Sequence, residues 1–244
     1  MRVIPVIDIL DGVVVRGVGG RREEYRPLES GIVTSCDPYA VASTFYCDFG
    51  RREIYLADLD AILHGRPNWE LYQRLPETGV SLLIDAGVRD ADQARRVANL
   101  AQVTVVVGLE TVTSPQMLAR MTVSVDTSRL LFSLDMRAGR PMASNDWPTS
   151  PTEIVREVTA LGVEELIVLD LADVGTSSGG STDEFCRELL VAHPALRIIA
   201  GGGVRGPADL ERLRHLGVDG VLVASAIHDG RLSHAEILAI EAQG

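Results

Sequence analysis

The sequence predicts an α/β protein folded as one closed (β/α)8 barrel, and three observations predict it. Eight short runs rich in Val, Ile and Leu alternate with segments that open on helix-start residues, the alternation of a parallel sheet with crossover helices. The length, 244 residues, suits one such barrel better than two small domains. The last two apolar runs, Ile198-Ile199-Ala200 and Val221-Leu222-Val223, end in Gly201-Gly202-Gly203 and Ala224-Ser225-Ala226, small residues that open helices. Neighbouring strand ends closed in this way describe the phosphate site that such barrels build after strands seven and eight. An open doubly wound sheet would carry its glycine turn after the first strand; here that strand carries Asp8.

The elements follow in order. Val3 to Ile9 is the first strand, stopped by Asp8, Asp11 and Gly12, and Gly12 to Arg26 reads as a long glycine- and charge-rich loop. Asp37-Pro38 starts a helix running to about Phe49, with Asp as cap and Pro in the first helical position. Ile54 to Asp58 is the second strand; Pro67 opens a helix to Glu77 that Gly79 ends. Val80 to Ile84 is the third strand, closing in Asp85-Ala86-Gly87, with a helix from Asp90 to Leu100 after it. Val103 to Val107 is the fourth, closing in Gly108-Leu109-Glu110-Thr111 before a short helix at Pro115. Arg129 to Leu134 is the fifth, ending in Asp135; a loop through Gly139, Asn145 and Trp147 leads to a helix from Pro151 to near Gly162. Glu165 to Leu169 is the sixth, ending in Asp170, and the small polar stretch 173–181 after it reads as a lid. A helix from Thr182 or Asp183 to His193 precedes the seventh strand, one near Pro207 follows it, and a last helix spans about His234 to Ala242.

Composition narrows the function classes. Aromatics are only 5% within an apolar share of 46%, so the core rests on branched aliphatics, as in strands buried on both faces. A formal charge of −11 argues against non-specific nucleic-acid or anionic-membrane partners, which need a basic face. Cys36, Cys47 and Cys186 are odd in number and form no C-x-x-C, which points to a reduced compartment. No apolar stretch is long enough to span a membrane and no signal-like start is present, so a cytoplasmic protein is expected. No G-x-G-x-x-G follows the first strand, and no His stands at metal-ligand spacing from the acids. Neither a cofactor nor a metal is therefore expected.

The two halves repeat. Leu83-Ile84-Asp85-Ala86-Gly87-Val88-Arg89 aligns with Ile199-Ala200-Gly201-Gly202-Gly203-Val204-Arg205, and at the same offset Gly108-Leu109-Glu110-Thr111 aligns with Ala224-Ser225-Ala226-Ile227. Asp8 and Asp135 each end the first strand of a half, Asp58 and Asp170 the second. The chain therefore reads as a single domain of two duplicated half-barrels, about 1–122 and 123–244. Gly202, Gly203, Ala224 and Ser225 are the expected phosphate-binding residues, since glycines and helix starts leave amides free to face an anion. Asp8 and Asp135, opposed across the mouth, suit acid–base work, one ionised and one protonated.

Ile4-Pro5-Val6-Ile7-Asp8-Ile9-Leu10-Asp11-Gly12, Phe132-Ser133-Leu134-Asp135, Ala200-Gly201-Gly202-Gly203-Val204 and Gly217-Val218-Asp219-Gly220-Val221-Leu222-Val223 resemble, in order, the motifs of the histidine-biosynthesis HisA/HisF family. The resemblance spans almost the whole chain and lies on the HisA side, the phosphoribosylformimino-5-aminoimidazole carboxamide ribotide isomerases. It implies a TIM barrel, Asp8 as general base, Asp135 as general acid, and an Amadori-type aldose–ketose rearrangement of a phosphorylated sugar or ribotide. It further implies that Trp147 stacks on the substrate's base.

Departures from the family pattern redirect the substrate. Where the family has a second triple glycine, this chain reads Asp85-Ala86-Gly87; Glu110 adds an acid beside it, and like charges repel a phosphate dianion. Leu169 stands where a hydroxyl assists catalysis, and Val174-Gly175-Thr176 replaces Asp-Gly-Thr. Asp58, Asp85, Glu110, Trp147, Asp170 and Thr176 are the candidate substrate-binding residues; for Asp58 and Asp170 a turn or structural hydrogen bond is the favoured role, and for Trp147 a loop anchor stands beside stacking. A hard cation on Asp58, Asp85 and Glu110 is a weaker reading. The expected function is a HisA-like isomerase, a monomer or small homo-oligomer, that does not act on the two-phosphate substrate. The alternatives are a related enzyme of another pathway, such as pterin-type cofactor assembly, or a non-catalytic phosphometabolite-binding barrel.

Overall fold

A computed structural model describes residues 1–175 and 182–243. Eight parallel strands form the barrel: Arg2–Leu10, Glu53–Asp58, Ser81–Asp85, Val103–Gly108, Leu130–Arg137, Glu165–Asp170, Arg197–Gly201 and Gly220–Val223. Each pairs with the next, and the eighth pairs in parallel with the first, from Arg2↔Gly220 to Pro5↔Val223, which closes the ring. The protein is a (β/α)8 barrel.

Alternation along the strands divides the apolar residues into two layers. Ile4, Tyr55, Leu83, Val106, Leu131, Ile167, Ile199 and Leu222 point inward and fill the barrel. Their neighbours, among them Ile7, Leu56, Ile84, Val105 and Ile198, pack outward against the helices. The filled interior leaves only the mouth, at the strands' carboxyl ends, for a ligand. Helix starts follow the predicted chemistry: Asp37, Asp90 and Ser114 cap their helices, and Ser233 with Glu236 forms a capping box.

Three segments differ from the sequence reading, each for a local reason. The stretch after the first strand is not one loop. Val13–Arg16 turns back antiparallel on Asp8–Leu10 and pairs with Arg26–Pro27, leaving a strap over the mouth that contains a short 3-10 helix, Arg22–Glu24. The helix expected from Pro67 is preceded by another. Leu59–His64 follows the second strand at once, with Asp58 accepting from the Ala61 amide and Gly65 ending it at φ 65°. Trp69–Arg74 is a separate helix capped by Asn68. The fifth strand continues past Asp135 to Arg137 and turns back on Arg140–Pro141.

Candidate active site

Asp85 ends the third strand, Asp8 and Asp135 stand two residues before the ends of the first and fifth, and all three line one cleft of about 910 Å³, counting the part open to solvent. Asp85 and Asp135 are 7% and 6% exposed. Their Oδ2 atoms flank Gly108 so closely that a Cβ there would lie 3.5 Å from Asp85 and 3.1 Å from Asp135. Asp85 Oδ1 accepts from the Gly87 amide at 2.9 Å and Asp135 Oδ1 from the Ser133 hydroxyl at 2.7 Å. Burial, and after it the Asp135 charge, push the Asp85 carboxyl up to about 7; burial brings Asp135 to about 6 against the Ser133 bond. Asp8 is pushed up to about 7 by burial, opposed by the Arg22 guanidinium. Tyr55, 5% exposed, bonds Asp85 between these acids, and burial holds its phenol well above the usual range. The cleft thus holds three carboxyls whose protons are exchangeable near neutral pH, the property acid–base chemistry needs.

The strap covers Asp8. Gly17 lies so close that a Cβ would be 3.0 Å from Asp8 Oδ2 and 3.4 Å from the Tyr25 hydroxyl. Arg22 spans the mouth to Glu110, with paired bonds of 2.8 and 2.6 Å. The chain contains no lysine, so a lysine Schiff base is not among the chemistries the cleft offers.

The other wall of the same cleft is built from Gly202, Gly203, Ala224 and Ser225. Gly202 adopts φ 94° and Gly203 φ 75°, backbone that side chains rarely take, and a Cβ on Gly202 would lie 3.0 Å from the Asp170 carbonyl. Glycine takes this backbone without strain at a turn that lines the cleft.

The equivalent turn in the first half is closed. Gly87 adopts φ 59°, but a Cβ there would lie 2.6 Å from Ile62 Cα and 2.9 Å from the Ala61 carbonyl, because helix Leu59–His64 packs on it. Arg89 fastens that helix, donating to the carbonyls of Ala61, Ile62 and Gly87 at 3.4, 2.5 and 2.8 Å. Leu59 and Ile62 then present apolar side chains to the cleft.

The family described as "Histidine biosynthesis protein" matches residues 2–233. The chain belongs to that family. It is 33% identical over 241 residues to an uncharacterized protein of Methanocaldococcus jannaschii, covering 98% of each chain. It is 31% identical over 237 residues to the 1-(5-phosphoribosyl)-5-((5-phosphoribosylamino)methylideneamino) imidazole-4-carboxamide isomerase of Thermus thermophilus, covering 95% of this chain and 96% of the relative. The isomerase of the same name from Desulforudis audaxviator is 29% identical over 249 residues, covering 99% and 91%. Among the described residues no helix is long and apolar enough to cross a membrane.

As a histidine-biosynthesis-family barrel, the chain brings Asp8, Asp135, Asp85, Glu110 and the four expected phosphate-binding residues to one cleft. Three expected substrate residues are placed elsewhere. Asp58 is buried and accepts from the Ala61 and Asn68 amides, both at 3.0 Å, and from the Tyr72 hydroxyl at 2.5 Å. This ties the two helices after the second strand and withdraws Asp58 from any cation trio with Asp85 and Glu110. Asp170 accepts from the Ala138, Gly139 and Ala172 amides at 2.9, 2.7 and 3.0 Å, pinning the fifth-strand hairpin to the sixth strand. Trp147 is 4% exposed, packed on Phe132, with its indole N–H donating to the Val112 carbonyl at 2.7 Å. It anchors its loop to the fourth-strand turn instead of stacking in the cleft. Thr176 lies outside the described residues. Leu169 lines the cleft. Arg22, Tyr25 and Tyr55 were not anticipated. Tyr55 was recoverable as the one aromatic at an inward strand position; the strap residues carried no signal, because their partners are distant in sequence.

Proposed function

We propose that this chain is an aldose–ketose isomerase that acts on a phosphorylated sugar or ribotide bearing a phosphate at one end of the reacting carbons. The observation that carries the reading is that one cleft holds both the open glycine wall and a set of near-neutral carboxyls from opposed strands. The substrate's phosphate rests on the amides of Gly202, Gly203, Ala224 and Ser225. Asp135, sharing a proton with Asp85 beside it, donates to the furanose ring oxygen. The C1–O bond breaks and the amine lone pair forms a C1–N double bond. Asp8 removes the C2 proton, and that electron pair makes an enolamine. Loss of the C2 hydroxyl proton with protonation at C1 gives the ketose, so no outside oxidant or reductant is needed.

The isomerases among the relatives carry two phosphoribosyl groups in the name of their substrate. For this chain we favour a different substrate, because the first-half turn is filled by helix backbone and faces Asp85 and Glu110. A reaction partner with a neutral or hydrogen-bond-donating second end meets Leu59, Ile62 and the acids without repulsion. Leu169, apolar where the family pattern has a hydroxyl, favours a second reading, a barrel that binds such a metabolite without chemistry. Solvent exchange separates the two: the enzyme incorporates deuterium at C2 of an aldimine of ribose 5-phosphate and Asp8→Asn does not, whereas a binding barrel gives no exchange with either. Complementation of a histidine auxotroph lacking the isomerase tests the substrate claim; no growth is expected, and full growth would restore the two-phosphate reading.

A further inference from the structure

The glycine wall has no charged side chain. Of Gly202, Gly203, Ala224 and Ser225, only Ser225 brings a polar side chain to the cleft. That hydroxyl is bonded from behind. Arg231, which does not line the cleft, donates to Ser225 Oγ at 3.3 Å, to the Arg205 carbonyl at 3.1 Å and to Asp229 Oδ2 at 2.8 Å. Arg205 follows the glycine turn after the seventh strand, and Ser225 opens the short helix Ser225–His228 after the eighth, so one guanidinium reaches both turns of the wall. Asp229 is gripped in turn by Arg16 of the strap's hairpin, through two bonds of 2.7 Å. The Arg16 bond, working against burial and joined by the Arg231 bond, holds the Asp229 carboxyl below its ordinary value. Asp229 therefore stays ionised and fixes the planar Arg231 fork in one orientation.

A serine hydroxyl has one hydrogen and two lone pairs. When the N–H of a cation takes a lone pair, the hydroxyl's own hydrogen is left for the cleft, and a donor is what an anion needs. The cation also polarises the oxygen, which strengthens that donor. We propose that Arg231 is a positioning residue for phosphate that acts through Ser225, occupying a lone pair of its hydroxyl so that the O–H is directed at an anion on the glycine wall. The proposal rests on the reading of that wall as the phosphate site. The closed end lacks every part of the device. At the offset of 116 that relates the halves, Leu109 stands for Ser225, Thr113 for Asp229 and Pro115 for Arg231.

The test is a double-mutant cycle read by calorimetric titration with inorganic phosphate. The Arg231 side chain is 41% exposed, so its replacement leaves the core intact. Ser225→Ala is expected to weaken phosphate binding about fivefold and Arg231→Met about threefold, the range of one hydrogen bond. The double variant should bind about as weakly as Ser225→Ala alone, because the arginine acts through the hydroxyl. Arg231→Lys, which keeps a cationic donor, should lose less than Arg231→Met. An Arg231→Met loss that persists undiminished in the Ser225→Ala background overturns the proposal, since the charge would then act through space or through the Arg205 carbonyl. Unaltered affinity in Arg231→Met overturns it as well, and so does an equal loss in Arg231→Lys. If phosphate binds and the cycle shows no coupling, this proposal alone fails; if phosphate does not bind the unaltered protein, the reading of the wall fails and takes the proposal with it.

Discussion

Gly203 and Gly87 stand in matching frames 116 residues apart, each after an apolar strand and two residues before an arginine. Both take left-handed backbone, φ 75° and 59°. Beyond Gly203 lies the cleft; beyond Gly87 lies the backbone of helix Leu59–His64. The arginines divide in the same way. Arg205 donates two side-chain bonds of 2.9 Å to Asp209 on the helix that follows, while Arg89 reaches sideways to the Ala61 and Ile62 carbonyls. The turn alone therefore does not make an anion site. The preceding βα loops differ: after the sixth strand comes a 3-10 turn, Leu171–Asp173, whose Asp173 side chain packs beside Gly202, whereas after the second strand a helix starts at once and its backbone packs on Gly87. The proposed acid–base pair draws on both halves, Asp8 from one and Asp135 from the other.

The largest expected effect breaks the link between the halves. Asp8→Asn or Asp135→Asn should lower turnover by about 100-fold or more while leaving ligand affinity nearly intact, measured as kcat against KM. Normal turnover in both variants would remove the acid–base pair. Next, matched alanine substitutions should fail in different ways. Gly87→Ala should destabilise the fold by about 2 kcal/mol, because its Cβ meets backbone and its φ is left-handed. It should leave inorganic phosphate affinity unchanged. Gly202→Ala should weaken phosphate binding about tenfold, through displaced amides. Chemical denaturation and calorimetric titration on the two variants decide this.

These contrasts also mark what could be read without coordinates. The eight strands were legible because parallel barrel strands are nearly continuous apolar runs and seven of the eight close in Asp or Gly, the eighth in Ala224-Ser225. Asp8, Asp135 and the glycine wall were legible from position at strand ends. The closed end was half legible: Asp85 was visible as an anomaly, but the helix that fills the turn was not. Asp58 read as a site residue when its carboxylate caps that helix, and Gly65 read as nothing when it ends it. Trp147 and Asp170 stood open between site and scaffold for a related reason, since residue type shows a polar or aromatic group at the mouth but not whether backbone amides or carbonyls have already claimed it. The Arg22–Glu110 pair depends on a tertiary fold-over that no local pattern encodes.

Two smaller effects sharpen the comparison. Asp85→Gly should raise affinity for the two-phosphate ribotide, and Asp85→Gly with Ile62→Ala should raise it further, because charge and bulk both stand in the way. Equal affinity in all three proteins, by calorimetry, would put the barrier elsewhere. The pH dependence of stability should also carry the cleft's signature. Asp8, Asp85 and Asp135 have folded-state midpoints raised from 3.8 to about 7, 7 and 6, so the folded chain holds protons that the unfolded chain has released. Their contribution to stability is therefore greatest below about 4 and falls as pH climbs through about 7. His228, held neutral by burial and lowered to about 4, has the opposite dependence, so the test is a difference between proteins. Asp85→Asn should melt a few degrees higher than the unaltered chain at pH 8, with the gap closing toward pH 4.

A crystal structure of the protein grown with inorganic phosphate tests the central asymmetry most directly. One ordered anion is expected on the amides of Gly202, Gly203, Ala224 and Ser225, with helix Leu59–His64 still packed on Gly87. An anion bound at Asp85-Ala86-Gly87 with the glycine wall empty, or anions at both ends, would contradict it.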